Sequence, residues 1–210
     1  MRTTHFGHSC VLLDTGSARL LLDPGSFSAG FEPVRELDAV LITHQHADHL
    51  DTDRLRPLLD ANPGARLIVD AGSPEQLGDI PHEVVAPGAV LEIAGARVDV
   101  LGGQHAVIHP DIPVIENNAY LIDGTHLHPG DSFTPPPDPV DVLFLPTGAP
   151  WLKVAEAVDY LRAVAPRAAV PIHEAVLSHA GMKLCHRIFE RLGPEQTTLR
   201  VLDRETATDL

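Results

Sequence analysis

Apolar positions along the chain gather in short runs bounded by turn formers, a pattern that predicts buried strands more than long helices. Residues 11–13 and 19–22 read as two strands joined by Asp14-Thr15-Gly16-Ser17, which makes a hairpin. The second run stops at Asp23-Pro24-Gly25, and a further run, Ala39-Val40-Leu41-Ile42, stops at Thr43. More short strands are expected at 66–69, 89–93, 96–101, 118–122, 140–145 and 168–172, punctuated by Gly and Pro. Helical spacing occurs in three places. Asp51 caps a segment through Leu55, Leu58 and Leu59, in which Pro57 is expected to kink or split the helix. Trp151, Val154, Ala155, Val158, Leu161 and Ala165 recur every three or four residues until Pro166. Leu184, Ile188 and Leu192 form one face of a last helix that ends at Gly193-Pro194. Hairpins interleaved with helices predict an α+β arrangement, with partly antiparallel sheets covered by helices.

A chain of 210 residues can bury one sizeable core, so residues 1–210 are expected to form a single domain. The formal charge of -14, with Lys153 and Lys183 as the two lysines, argues against nucleic acid as a partner and for a small molecule. Cys10 and Cys185 share no metal-binding spacing and read as buried thiols. The opening residues lack the apolar core of a secretory signal, and no run approaches the ~20 apolar residues that span a bilayer. A cytoplasmic protein without a membrane anchor is the expectation.

What changes this bland picture is 13 histidines. His44-Gln45-His46-Ala47-Asp48-His49 places four metal-ligand side chains within six residues, directly after a buried strand. Imidazole suits borderline divalent ions, and a carboxylate adds a harder oxygen and negative charge. In an extended segment His44 and His46 share a side, while Asp48 and His49 begin the turn into the next helix. Two neighbouring ions are therefore expected, not one. Further ligands are offered by His105 or His109, by Asp131 in Gly130-Asp131-Ser132, and by His173, each close to the end of a strand or turn.

With its HxHxDH signature, the sequence resembles the metallo-β-lactamase superfamily of metal-dependent hydrolases over nearly its whole length. The hairpin ending at Asp23 is similar to that family's first motif, the histidine burst to its second, His105 to its third, Gly130-Asp131-Ser132 to its fourth and His173 to its fifth. The resemblance implies a four-layered αββα sandwich with the site at one edge of the sheets. It also implies that His44, His46 and His105 bind one metal, that Asp48, His49 and His173 bind the other, and that Asp131 bridges them. His105 is favoured over His109 because it follows a strand directly. Phe6-Gly7-His8-Ser9 further resembles the ascorbate-6-phosphate lactonase-like branch, and an Asp rather than a Cys at position 131 points away from β-lactams.

Two divalent ions, zinc ahead of manganese or iron, would leave about one positive charge once Asp48, Asp131 and a bridging hydroxide are counted, which favours an anionic substrate. Hydrolysis of a small ester, lactone or phosphoester is the leading reading, with Asp48 and Asp131 as its catalytic carboxylates. No Ser or Cys sits in a nucleophile elbow. The same centre would serve a phosphodiesterase or nuclease, a di-iron oxidoreductase that depends on a partner protein, or a non-catalytic binding protein. Asp23 reads either as a turn residue or as the acceptor that orients a ligand imidazole. His8 and Trp151 read either as neighbours of the site or as core residues.

Overall fold

The computed structural model describes residues 1–210. In chain order its first half contains β1 (Arg2–His5), β2 (Val11–Asp14), β3 (Arg19–Leu22), β4 (Ala39–Leu41), α1 (Thr52–Asp60), β5 (Arg66–Val69), α2 (Pro74–Leu77) and β6 (Glu83–Val84). The second half contains β7 (Val90–Ile93), β8 (Ala96–Gly102), β9 (Asn118–Ile122), β10 (His126–His128), β11 (Val142–Pro146), α3 (Val154–Val164), β12 (Ala168–Ile172), α4 (His179–Leu192), β13 (Thr198–Leu199) and β14 (Thr208–Asp209).

These strands form two seven-stranded mixed sheets, ordered β14-β1-β2-β3-β4-β5-β6 and β13-β12-β11-β10-β9-β8-β7. Each sheet is antiparallel on one side and parallel on the other, the change falling at β3 in the first and β10 in the second. Alternation along single strands explains the layers. Leu20 and Leu22 face the second sheet and pack with Tyr120, Phe144 and Val170 in the central core. Leu21, between them, faces outward onto Leu55 and Leu58 of α1. On the opposite side Leu143 and Ala169 pack against Val158 and Leu161 of α3 and Phe189 of α4. Both faces of both sheets are thus covered, which is why the strands read as unbroken apolar runs and not as alternating ones. The result is the expected αββα sandwich.

Several local expectations need correction. Helix α1 runs unbroken through Pro57, with Asp51 capping the Arg54 N–H. The carbonyl that Pro57 leaves without its helical partner belongs to Asp53, an exposed residue. In α4 the anticipated face packs only in part, through Ile188. Leu184 and Leu192 are exposed, and the helix rests on Phe189. Cys185 beside them is only partly buried, whereas Cys10 is fully buried. Trp151 precedes α3 instead of lying on it, and the buried face of that helix is Ala157, Val158, Tyr160, Leu161 and Val164.

Few hydrogen bonds cross from one sheet to the other, and several of them lie at one end of the sandwich. Asn118 donates its N–H to the Thr43 carbonyl (2.8 Å), Tyr120 its hydroxyl to Ile42 (2.8 Å), and His173 its N–H to His8 (3.0 Å). That end is where the histidines collect.

Candidate metal centre

The first sheet delivers its ligands through the turn after β4. Asp23, just past β3, holds a left-handed conformation (φ 47°) and is fully buried. Its carboxylate accepts the Thr43 N–H (2.8 Å), the Thr43 hydroxyl (2.7 Å) and the His49 Nδ1–H (2.7 Å). With the Thr43 proton given to Asp23, the 3.0 Å contact between Thr43 Oγ1 and His44 Nδ1 is one in which the imidazole donates. Gly25 lets the next turn close over this pair, because a Cβ there would overlap the backbone carbonyl of Asp48. The second sheet adds His105 after β8, Asp131 after β10 and His173 after β12. His105 donates Nδ1–H to the Ala106 carbonyl (2.6 Å) and His173 to that of Gly148 (2.7 Å).

The same arrangement recurs at His44, His49, His105 and His173. Each has Nδ1 engaged by an acceptor of the chain, which leaves Nε2 as the ring nitrogen available to a metal, that of His44 lying 3.1 Å from His46 Nδ1. Those of His49, His105 and His173 converge on Asp131. Its Oδ1 lies 3.1 Å from His49 Nε2 and 3.0 Å from His173 Nε2, and its Oδ2 lies 3.3 Å from His105 Nε2. The buried indole of Trp151 donates to Oδ2 (2.8 Å) and fixes the carboxylate. Two groups result, His44-His46-His105-Asp131 and His8-Asp48-His49-His173, with the ligand atoms of each within 4.8 Å of one another. His49 Nε2, His105 Nε2, His173 Nε2 and Asp131 Oδ1 are buried, yet none makes an aligned hydrogen bond. Unsatisfied buried polar atoms are destabilising by about 1–3 kcal/mol each. Imidazoles whose Nδ1 is already engaged, grouped around carboxylates, fit divalent cations, and no aligned hydrogen bond within the chain satisfies these four atoms.

His8 enters differently from the others. Its Nδ1 accepts the Ala175 N–H (3.4 Å), so its Nε2–H donates to Asp48 Oδ2 (2.9 Å) and holds that carboxylate toward His49 and His173. Glu174 in turn accepts the His8 backbone N–H (3.1 Å) and is paired with Arg204 (3.1 Å). The seven side chains expected to bind metal are thus brought together, with His105 in the site and His109 outside it, exposed and 3.6 Å from Asp111. Thr43 and Glu174 were not anticipated. Their only sequence signal is position, one residue before His44 and one after His173.

Burial and neighbouring charge set the protonation of these side chains. Burial would raise the Asp131 pKa, but the His49 and His173 charges outweigh it and hold the carboxyl well below its ordinary range. At Asp48 the opposing influences are the His8 hydrogen bond and the His49 charge, again with a net lowering. Burial would lower His49, but Asp131 and Asp23 push it well up, and Asp131 does the same for His173. Burial dominates at His44, His46, His8 and His128, which are all shifted down.

A pH dependence of stability follows. Histidines with lowered pKa stabilise the fold above the ordinary value of about 6.5 and lose that contribution as pH falls, and the depressed carboxylates add a further loss below about 4. His49 and His173, shifted up, stabilise below about 6.5 and lose their contribution as pH rises through their folded values. Thermal unfolding of chelator-treated protein is therefore expected to peak near neutrality and to decline on both sides, more steeply in acid. Zinc should raise the midpoint most on the alkaline side, where the ligands are deprotonated. A flat midpoint from pH 7 to 9, with the same zinc increment throughout, would contradict this assignment.

Comparison with known proteins agrees with the geometry. A family model described as a beta-lactamase superfamily domain matches residues 2–173. The chain is 54% identical over 213 residues to Protein Rv0786c of Mycobacterium tuberculosis, covering 99% of both. It is 25% identical to a UPF0173 metal-dependent hydrolase of Pyrococcus horikoshii, over 82% of this chain and 84% of that one. The solved structure of Igni18, a metallo hydrolase from Ignicoccus hospitalis, shares the fold with a TM-score of 0.75 at 19% identity, covering 99% of this chain and 97% of the other. By sequence and by fold, the chain belongs to the metallo-β-lactamase superfamily of metal-dependent hydrolases.

Proposed function

We propose that this protein is a two-metal hydrolase that cleaves a small ester, lactone or phosphoester. His44, His46, His105 and Asp131 would hold one ion, and Asp48, His49, His173 and the other oxygen of Asp131 the second. The observation that carries this reading is the convergence of imidazole Nε2 atoms, each with Nδ1 already occupied, on both oxygens of Asp131. Divalent ions bound there, zinc ahead of manganese or iron, supply Lewis acidity and a water acidified toward neutral pH.

The chain's own residues provide the rest. Trp151 fixes the plane of Asp131 and His8 that of Asp48, so both carboxylates are positioned before substrate arrives. No side-chain nucleophile competes. Cys10 is fully buried, and burial raises its thiol pKa well above the usual range. Phe6-Gly7-His8-Ser9, which supports the narrower lactonase-like reading, is the segment that brings His8 onto Asp48. No helix is long and apolar enough to cross a membrane, and the acidic chain favours a small substrate in the cytoplasm over nucleic acid.

The test is to strip the protein with chelator, reload it with zinc, manganese or iron, and count bound metal. Turnover of carboxylic esters, a lactone and a phosphodiester is then measured in parallel. Turnover that requires two bound ions is expected. Two bound ions without turnover on any substrate would overturn the hydrolase, and an iron-specific redox signal in that case would replace it with the oxidoreductase.

A further inference from the structure

The loop between β8 and β9 carries His105, and beyond it the chain reads Ala106-Val107-Ile108-His109-Pro110-Asp111-Ile112-Pro113-Val114-Ile115. Large apolar side chains are seldom left in water side by side without a partner. Here Ile112 and Val114 are 47% and 45% exposed. They do not dangle on a free loop. Gly103 and Asn117 pair through their backbones, His105 donates its N–H to the Ile115 carbonyl (3.0 Å), and Ala106 donates to the Asp131 carbonyl (2.8 Å). The segment is therefore tied at its base to the residues that carry Asp131 and His105.

It encloses a groove of about 240 Å³ whose walls include Ile108, Ile112, Val114 and Ile115 and whose inner end is His46 and His105. No Lys or Arg lines it, and neither Asp48 nor Asp131 has a Lys or Arg ion-pair partner. Lys183 and Arg204 line a separate cavity with His5 and Glu174. A phosphate group would find no cationic side chain in the groove, whereas a hydrocarbon group would find four aliphatic walls.

We propose that the substrate is not the anion that charge counting predicts but an uncharged ester or lactone bearing an apolar arm, and that the arm lies in the groove between the 106–115 segment and His46. This deepens the hydrolase reading and rests on it. In the reaction, water adds to the acyl carbon, the acyl carbon–oxygen bond breaks, the leaving oxygen takes up a proton, and an acid and an alcohol result.

Two series of esters test this with the zinc- or manganese-reloaded protein, one lengthened in the acyl part from acetyl to octanoyl, the other in the alcohol part. In one series kcat/KM is expected to rise about fourfold per methylene until the groove is full. The double variant Ile112→Ser/Val114→Ser should flatten that dependence. Val107→Ser, which alters an exposed apolar residue outside the groove, should leave it intact. Dependence on neither length in the wild type, or a dependence that the double variant preserves, would overturn the proposal.

Binding measured without turnover separates this outcome from failure of the hydrolase. Saturation-transfer NMR should show hexanamide binding the reloaded protein more tightly than acetamide, with the difference lost in the double variant. If no ester is hydrolysed yet this difference is found, the groove stands and the hydrolase falls. Equal binding of the two amides would remove the groove whatever the turnover.

Discussion

Asp131→Ala is expected to lower hydrolysis about a thousandfold or more and to leave the protein unable to hold two ions together. Several kcal/mol of transition-state stabilisation is what a correctly placed metal contributes, and 4 kcal/mol corresponds to about three powers of ten. Asp131 is the one residue whose two oxygens face both histidine groups, and Trp151 holds it in that plane. Asp131→Asn separates charge from shape, since the amide keeps an oxygen for one group and offers donors where the second oxygen stood. It should retain one ion more firmly than the second and still lose most activity. Metal analysis beside kcat for both variants checks this. Two tightly bound ions with near wild-type turnover in Asp131→Ala would remove the residue from the centre of the site.

The largest loss of stability should come from Asp23→Ala. The Asp23 carboxylate sits at zero exposure and accepts three hydrogen bonds, from the Thr43 amide, the Thr43 hydroxyl and the His49 imidazole. Removing one partner of a buried pair typically destabilises by about 3–5 kcal/mol, and an alanine in the left-handed conformation at this position adds about 1–2 kcal/mol. Asp23→Asn makes the sharper comparison. Its oxygen can still accept from Thr43, and Asn tolerates the backbone angle. Its amide, however, donates toward His49 Nδ1, which then accepts and carries its proton on Nε2, the nitrogen that metal requires free. Asp23→Asn should therefore fold nearly as well as the wild type but bind metal about 10–100-fold more weakly. Denaturant unfolding and zinc titration of both variants distinguish these effects. Equal losses of stability in Ala and Asn, with unchanged zinc affinity, would reduce Asp23 to a packing residue.

Much of the architecture could be read from the sequence for a physical reason. Strands buried on both faces must be apolar throughout, so runs such as Arg19–Leu22 and Asn118–Ile122 stand out against their turns. Strands that lack this signal escaped. β10 is three residues long with a histidine at each end, and β13 and β14 are two-residue edge strands. Pro57 misled because propensity assumes a lost hydrogen bond is harmful, whereas an exposed carbonyl turns to water. Leu184 and Leu192 misled because periodicity identifies an apolar face without saying that anything covers it.

The site was legible to the extent that its chemistry is carried by unusual residues at short range, as in His44 to His49. The choice of His105 over His109 depended on where a loop leaves β8, and the structure puts His105 in the cluster and His109 at the surface. Thr43 and Glu174 remained invisible because hydrogen bonds across 20 and 166 residues of chain separation leave no local pattern.

The two sheets come from largely separate stretches of the chain, and the candidate ligands are divided between them. Ions held as proposed would join positions 44–49 to Asp131 and His173, closing loops of roughly 80 to 125 residues in a chain whose two cysteines are both free. A cross-link of that span acts on the unfolded chain as much as on the folded one, by removing loop-closure entropy from it. The reaction centre would then also act as a cross-link between the sheets, opened by loss of metal where a disulfide would be opened by reduction. Metal supply would set the protein's resistance to proteolysis together with its activity.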